Sequence, residues 1–128
     1  MASLLLLSGC IFAAHDEVLV GRYKLVAIDI REDMAMCWSL DGGGCVGDGL
    51  PGPTLFAAGF NDKYIVAAVH PGSRKDVTQF FYVVRDPQNE DKLLPQHTIK
   101  GPLSQSEFEV ERSRLSLPGF TRTFSKLK

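Results

Sequence analysis

The sequence predicts an α+β domain: a mainly antiparallel β-sheet of about five to six strands with one C-terminal helix packed on it. Three stretches carry that expectation. Thr54 to Phe60 and Lys63 to His70 are both apolar and are separated by Asn61 and Asp62, residues that accept the positive φ of a tight hairpin turn. Val77 to Arg85 holds Phe80, Phe81, Tyr82, Val83 and Val84 in unbroken order, as expected for a strand covered on both faces. Ser104-Gln105-Ser106-Glu107 has the S-x-x-E form of a capping box in front of a helix from Gln105 to Leu115, which Pro118-Gly119 ends.

The hairpin is the centre of the expected fold. Folded about Asn61 and Asp62, it sets Ala58 against Ile65, Ala57 against Val66 and Phe56 against Ala67, with Gly59 opposite the ring of Tyr64. Both faces of that ribbon are apolar, so it belongs in the middle of a sheet. Before it, Arg22 to Arg31 reads as a strand with Tyr23, Leu25, Ala27 and Asp29 on one face and Lys24, Val26, Ile28 and Ile30 on the other. Glu32 and Asp33 turn the chain. Met34 to Leu40 follows, with Met34, Met36, Trp38 and Leu40 facing the core and Ala35, Cys37 and Ser39 forming a small face that lets another backbone come close. After the hairpin, Pro71 to Asp76 is a surface loop, Asp86 to Asp91 a wet turn and Lys92 to Lys100 an irregular connector stopped by Gly101-Pro102. In the helix, Glu107 and Glu111 are spaced to pair with Arg112 or Arg114. Phe120 to Phe124 returns as a last extended piece, ahead of a basic tail at Lys126 and Lys128.

Composition bounds the function. The 128 residues are 45% apolar, enough for one domain, and the net charge of -1 with interspersed signs gives no footprint for nucleic acid. Three cysteines and three histidines make neither a disulfide-dense mini-protein nor a metal cage. No cofactor motif is present. Asp41 to Pro53 contains six glycines and two prolines in thirteen residues, and Asp41 and Asp48 make it a weak binding candidate. It lacks the Gly-Lys-Ser/Thr ending of a phosphate loop and the alternation of calcium-binding repeats, so a turn with a short strand at Cys45 to Gly47 accounts for it better. Cys37 and Cys45 flank this turn. A hairpin there brings two Cα atoms within the range of about 4.4 to 6.8 Å that a disulfide spans, and the register decides between a bridge and two buried thiols.

The N-terminus carries the sharpest motif. Met1 to Ala14 is apolar over too short a distance for a membrane-crossing helix, which needs about 20 residues. Within it, Leu7-Ser8-Gly9-Cys10 resembles the bacterial lipobox. That resemblance implies a signal peptide over residues 1–9, lipidation and cleavage at Cys10, a lipidated tether over 10–20 with His15, Asp16 and Glu17 in water, and a single domain over 21–128. Ile11, where an Asp would retain the protein, resembles the pattern sent to the outer membrane. Met1 to Ser3 lacks the usual Lys or Arg, which points to an upstream start or a shortened leader. The competing reading is an apolar edge strand with Cys10 as a core thiol.

With these pieces placed, the order YKLVAIDI, FAAGFNDKYIVAAVHP, FFYVV and GPLSQSEFEVERSRLSLP resembles a family of short, uncharacterised bacterial lipoproteins. The resemblance implies a lipid-anchored protein of the outer membrane facing the periplasm, and it brings no catalytic residues. The expectation is a non-catalytic binding module whose partner is another envelope or toxin protein, as an immunity or inhibitor protein or as an accessory subunit of an envelope complex. The alternative is a small periplasmic hydrolase or ligand carrier using His70 and Asp29, with Ser73 or Cys37 as nucleophile. Nothing in the spacing gathers those residues, and a histidine before Pro71 at a strand end reads first as a hydrogen-bonded structural residue.

Overall fold

A computed structural model describes residues 14–88, 90 and 97–128. The lipobox, Cys10 and positions 92–96 of the expected connector lie outside the described residues. The strands are β1 (His15–Val20), β2 (Tyr23–Ala27), β3 (Ala35–Ser39), β4 (Cys45–Val46), β5 (Leu55–Phe60), β6 (Tyr64–Val69), β7 (Gln79–Val84), β8 (Thr98–Leu103) and β9 (Arg122–Thr123), and the helix α1 is Gln105–Leu115.

The apolar hairpin is β5 and β6, buried except at Phe60 and Tyr64 beside the turn. Its turn is built by the Asn61 side chain, whose Oδ1 accepts the amides of Lys63 at 2.9 Å and Tyr64 at 2.8 Å. The loop residues are therefore Asp62 and Lys63, one position later than expected. Ala58 pairs with Ala67, Gly59 with Val66 and Phe60 with Ile65, a shift of two residues. Two is the side-chain period of a strand, so every residue keeps its face.

Two sheets form where one was expected. The first has four strands in the order β1-β2-β3-β4, the second five in the order β8-β7-β6-β5-β9, and every pair is antiparallel. The reason lies in the faces. Apart from the disulfide-bonded Cys37, the strands β2 and β3 bury one side, Tyr23, Leu25 and Ala27 beside Met36 and Trp38, and a one-faced sheet is satisfied by lying on another sheet rather than by extending it. Those residues meet Leu55, Ile65, Ala67, Val69 and Val83 of the second sheet in the main core. On the opposite face of that sheet, Val66 and Tyr82 meet Phe108 and Leu117, so the helix is the third layer.

The helix has the predicted bounds. Ser104 Oγ accepts the Glu107 amide at 3.2 Å and the Glu107 carboxylate accepts the Ser104 amide at 2.8 Å, closing the capping box. Glu111 pairs with Arg114 as expected, whereas Arg112 takes Glu109 because Glu107 is occupied by the cap. Beyond the helix the chain passes over Gly59, where an added Cβ would run into the Gly119 carbonyl. The expected cover for that glycine, the Tyr64 ring, is replaced by backbone. Gly52 serves a similar close approach: a Cβ there would lie 2.6 Å from Ala35 on the small face of β3.

Two connectors turn out to be strands. His15–Val20, expected as a wet tether, pairs with β2, and Glu17 is held by Arg122 of β9 through contacts of 2.8 to 3.0 Å. The half-buried ion pair explains the difference: a carboxylate matched to a guanidinium from the far end of the chain does not seek water. Thr98–Leu103 pairs with β7, and Gly101-Pro102 lies inside it at a register shift rather than stopping it. Proline is tolerated because β8 is an edge strand with no ladder on its outer side.

Cys37 and Cys45 form a disulfide with Cα atoms 5.6 Å apart. Ser39 pairs with Cys45 and Trp38 with Val46, so the bridge runs diagonally between β3 and β4. Replacing both cysteines by serine is expected to lower stability by about 2–3 kcal/mol, read from urea unfolding; an unchanged midpoint would mean that β4 stays in place without the bond. Gly59→Ala is expected to cost about 1–3 kcal/mol in the same titration, and a neutral outcome would mean that the Gly119 crossing yields freely.

Candidate functional site

One row of residues runs straight across the second sheet on its helix side: Thr123, Ala57, Ala68, Phe80 and Leu103 occupy paired positions on β9, β5, β6, β7 and β8. Residues directly opposite one another share a face. Phe80 carries the helix, its ring stacked on Phe108 at 4.8 Å with Phe120 at 6.2 Å. Ala57 and Ala68 are too short to reach that layer, and α1 begins only at Gln105. The shortfall leaves a cleft of about 550 Å³, floored by Ala57 and Ala68, walled by Phe56, Phe80 and Phe120, and rimmed by Thr78, Gln105, Thr123 and Lys128. Such a site offers aromatic surface to an apolar group, several hydrogen-bonding side chains and one ammonium.

His70 lies two residues beyond Ala68, on the same strand face. It is buried, its Nδ1 donates to the Val77 carbonyl at 2.8 Å, and its ring stacks on Phe56 at 4.1 Å. It thus stiffens one wall of the cleft. Asp29 is exposed at the far end of the first sheet, and no described hydrogen bond or ion pair joins it to His70. Ser73 Oγ lies 3.0 Å from Thr54 Oγ1, which in turn donates to the Glu32 carbonyl, and Cys37 is bound in the disulfide. Ser73 shares a turn with His70, its amide donating to the His70 carbonyl at 3.1 Å, but its hydroxyl is on Thr54 and the His70 Nδ1 is on Val77, while Asp29 and Cys37 have no described bond to either. Asp41 accepts from Arg22 at 2.9 Å and Asp48 is exposed. Among the described residues no group of three or more His, Cys, Asp or Glu side chains could hold a metal ion.

The cleft residues Phe56, Thr78, Phe80, Gln105, Phe120 and Lys128 escaped sequence reasoning as a group. The one signal was the two alanine pairs of the hairpin, Ala57-Ala58 and Ala67-Ala68, and only the register decides which of them share the helix side.

A second polar cluster closes the opposite side of the sandwich. Arg85 and Glu90 form a largely buried ion pair with contacts of 3.1 and 3.0 Å, and Arg22 donates to the Glu90 carbonyl at 3.1 Å. Tyr23 shares a hydrogen bond of 3.2 Å with His97 Nδ1, and the His97 ring packs edge-on against Trp38. Burial pushes the Tyr23 phenol up to about 12, with the Glu90 charge adding to it, and burial pulls the His97 imidazole below its usual value. The two arginines hold backbone carbonyls of Glu90 and Asn61 and the remaining side chains hold one another, which makes the cluster a structural one.

A lowered histidine pKa has a sign. The unfolded chain binds the His97 proton more readily than the folded one, so its contribution is complete above about pH 6.5, the ordinary histidine value, and is lost as pH falls toward the folded value. Thermal melts at pH 7.5 and pH 5 are expected to show a fall that His97→Gln reduces; an equal fall in the variant would remove His97 from the acid sensitivity.

No protein-family model, no curated protein and no solved structure matches this chain.

Proposed function

We propose that the chain is a non-catalytic, lipid-anchored binding module of the bacterial envelope, attached through Cys10 to the outer membrane on its periplasmic side, that receives an apolar side chain of a partner protein in the cleft over Ala57 and Ala68. The cleft carries the reading: three aromatic walls on a small-residue floor favour binding, while His70 is committed to Val77 and Phe56. The disulfide supports the address, since such bonds persist in oxidising compartments. Such a module fits the role of an immunity or inhibitor protein that occupies a toxin or envelope protein, or of an accessory subunit in an envelope complex. No helix among the described residues is long and apolar enough to cross a membrane, and a lipid at Cys10 supplies attachment without one.

A second reading, a ligand carrier, is favoured by the cleft volume of about 550 Å³, which suits a small molecule as well as a side chain. Native mass spectrometry of protein isolated from its own cells separates the two: a retained small molecule supports the carrier, a co-purified polypeptide the module. Ala68→Leu fills the floor and is expected to reduce partner capture from detergent extracts by about tenfold, the equivalent of about 1.4 kcal/mol. Capture undiminished in a variant that melts like wild type would move the interface away from the cleft. Cells grown with labelled palmitate are expected to label the wild type but not Cys10→Ala; equal labelling of both, or of neither, would end the anchored reading.

A further inference from the structure

We infer that the end of the domain carrying Ile28 and Ile30 rests against the bilayer, with these two side chains in its interfacial layer. The inference rests on lipid attachment at Cys10. Ala14 donates its amide to the Ile28 carbonyl at 3.1 Å, so the chain enters the domain beside this loop. Four residues along from Cys10, Ala14 can lie at most about 14 Å away, whatever path the chain takes. A lipid at Cys10 therefore keeps Ile28 close to the headgroups and brings this end of the molecule, rather than the helix layer, to the membrane.

The surface found there suits that position. Ile28 is 63% exposed and Ile30 is 56% exposed, two large aliphatic side chains next but one to each other on the same loop. Val18 and Val110 are as exposed, at 64% and 66%, but each stands alone on its element, as scattered surface apolar residues do. Beside the isoleucines, Arg31 and Lys126 line a shallow hollow with Phe124, and Lys75 donates to the Lys126 carbonyl at 3.1 Å. These cations can meet lipid phosphates. Asp29, Glu32 and Asp33 lie on the same loop and offset them, so apolar insertion rather than attraction to anionic lipid holds the contact. The occupant is then a phospholipid surface of ordinary composition.

The full chain, purified with its lipid and reconstituted into phosphatidylethanolamine and phosphatidylglycerol vesicles with brominated acyl chains, tests this. Tryptophan is placed singly as Ile28→Trp, Ile30→Trp or Val110→Trp, and the buried Trp38 gives a common background. Quenching of the two loop probes is expected to exceed that of Val110→Trp by at least about twofold and to change little between low and high salt. Equal quenching of all three in protein that carries palmitate would overturn the inference and leave the anchor standing. Protein without palmitate would overturn both. Loop probes that respond only when another envelope protein is added, and never to lipid, would assign the isoleucines to a protein contact and also overturn it.

Discussion

Everything in this molecule answers to a ribbon that is apolar on both sides. The strands β5 and β6 are buried along almost their whole length, and a buried sheet face is stable only against another apolar layer. One face takes the first sheet, through Leu25, Met36 and Trp38. The other takes the helix, through Phe108, and the chain that leaves it, through Leu117. The ribbon is rich in alanine and glycine, so its covers approach closely; at Gly59 the cover is bare backbone.

That closeness is uneven, and the candidate site is where it fails. The helix presses on the sheet chiefly through Phe108, stacked on Phe80, with Leu115 packed beside it, and its exposed side is tied by surface ion pairs that add little to stability. Where the floor drops to Ala57 and Ala68 the helix contributes only Gln105, at the rim. The hollow is thus a consequence of side-chain length at two paired positions. Beside it, His70 is engaged in holding a wall, through Val77 and Phe56.

The first and last of the described strands meet at one place. Glu17 in β1 holds Arg122 in β9, the guanidinium lies 4.2 Å from the centre of the Phe124 ring, and His15 meets the same ring edge-on. Arg122 keeps the Glu17 carboxyl below its usual range, so the pair stays charged through the neutral range. Joining the edge of the first sheet to the edge of the second, this contact also settles where the N-terminal segment must leave the domain.

What the sequence by itself determined was local. The capping box placed the start of the helix, the alternation in Met34 to Leu40 put Met36 and Trp38 in the core, and the unbroken run at Phe80 to Val84 placed β7 beside β6, because caps and side-chain periods act over a few neighbouring residues. Tertiary structure decided the rest. The division into two sheets depended on which one-faced strands would lie over the hairpin, the hairpin register on an Asn61 side chain that moved the turn by one residue, and the strand status of His15–Val20 on an arginine 105 residues beyond Glu17. The cleft belongs to this second class, since paired alanines are ordinary in a string of letters and become a floor only when three strands align them beneath a helix that starts too late to cover them.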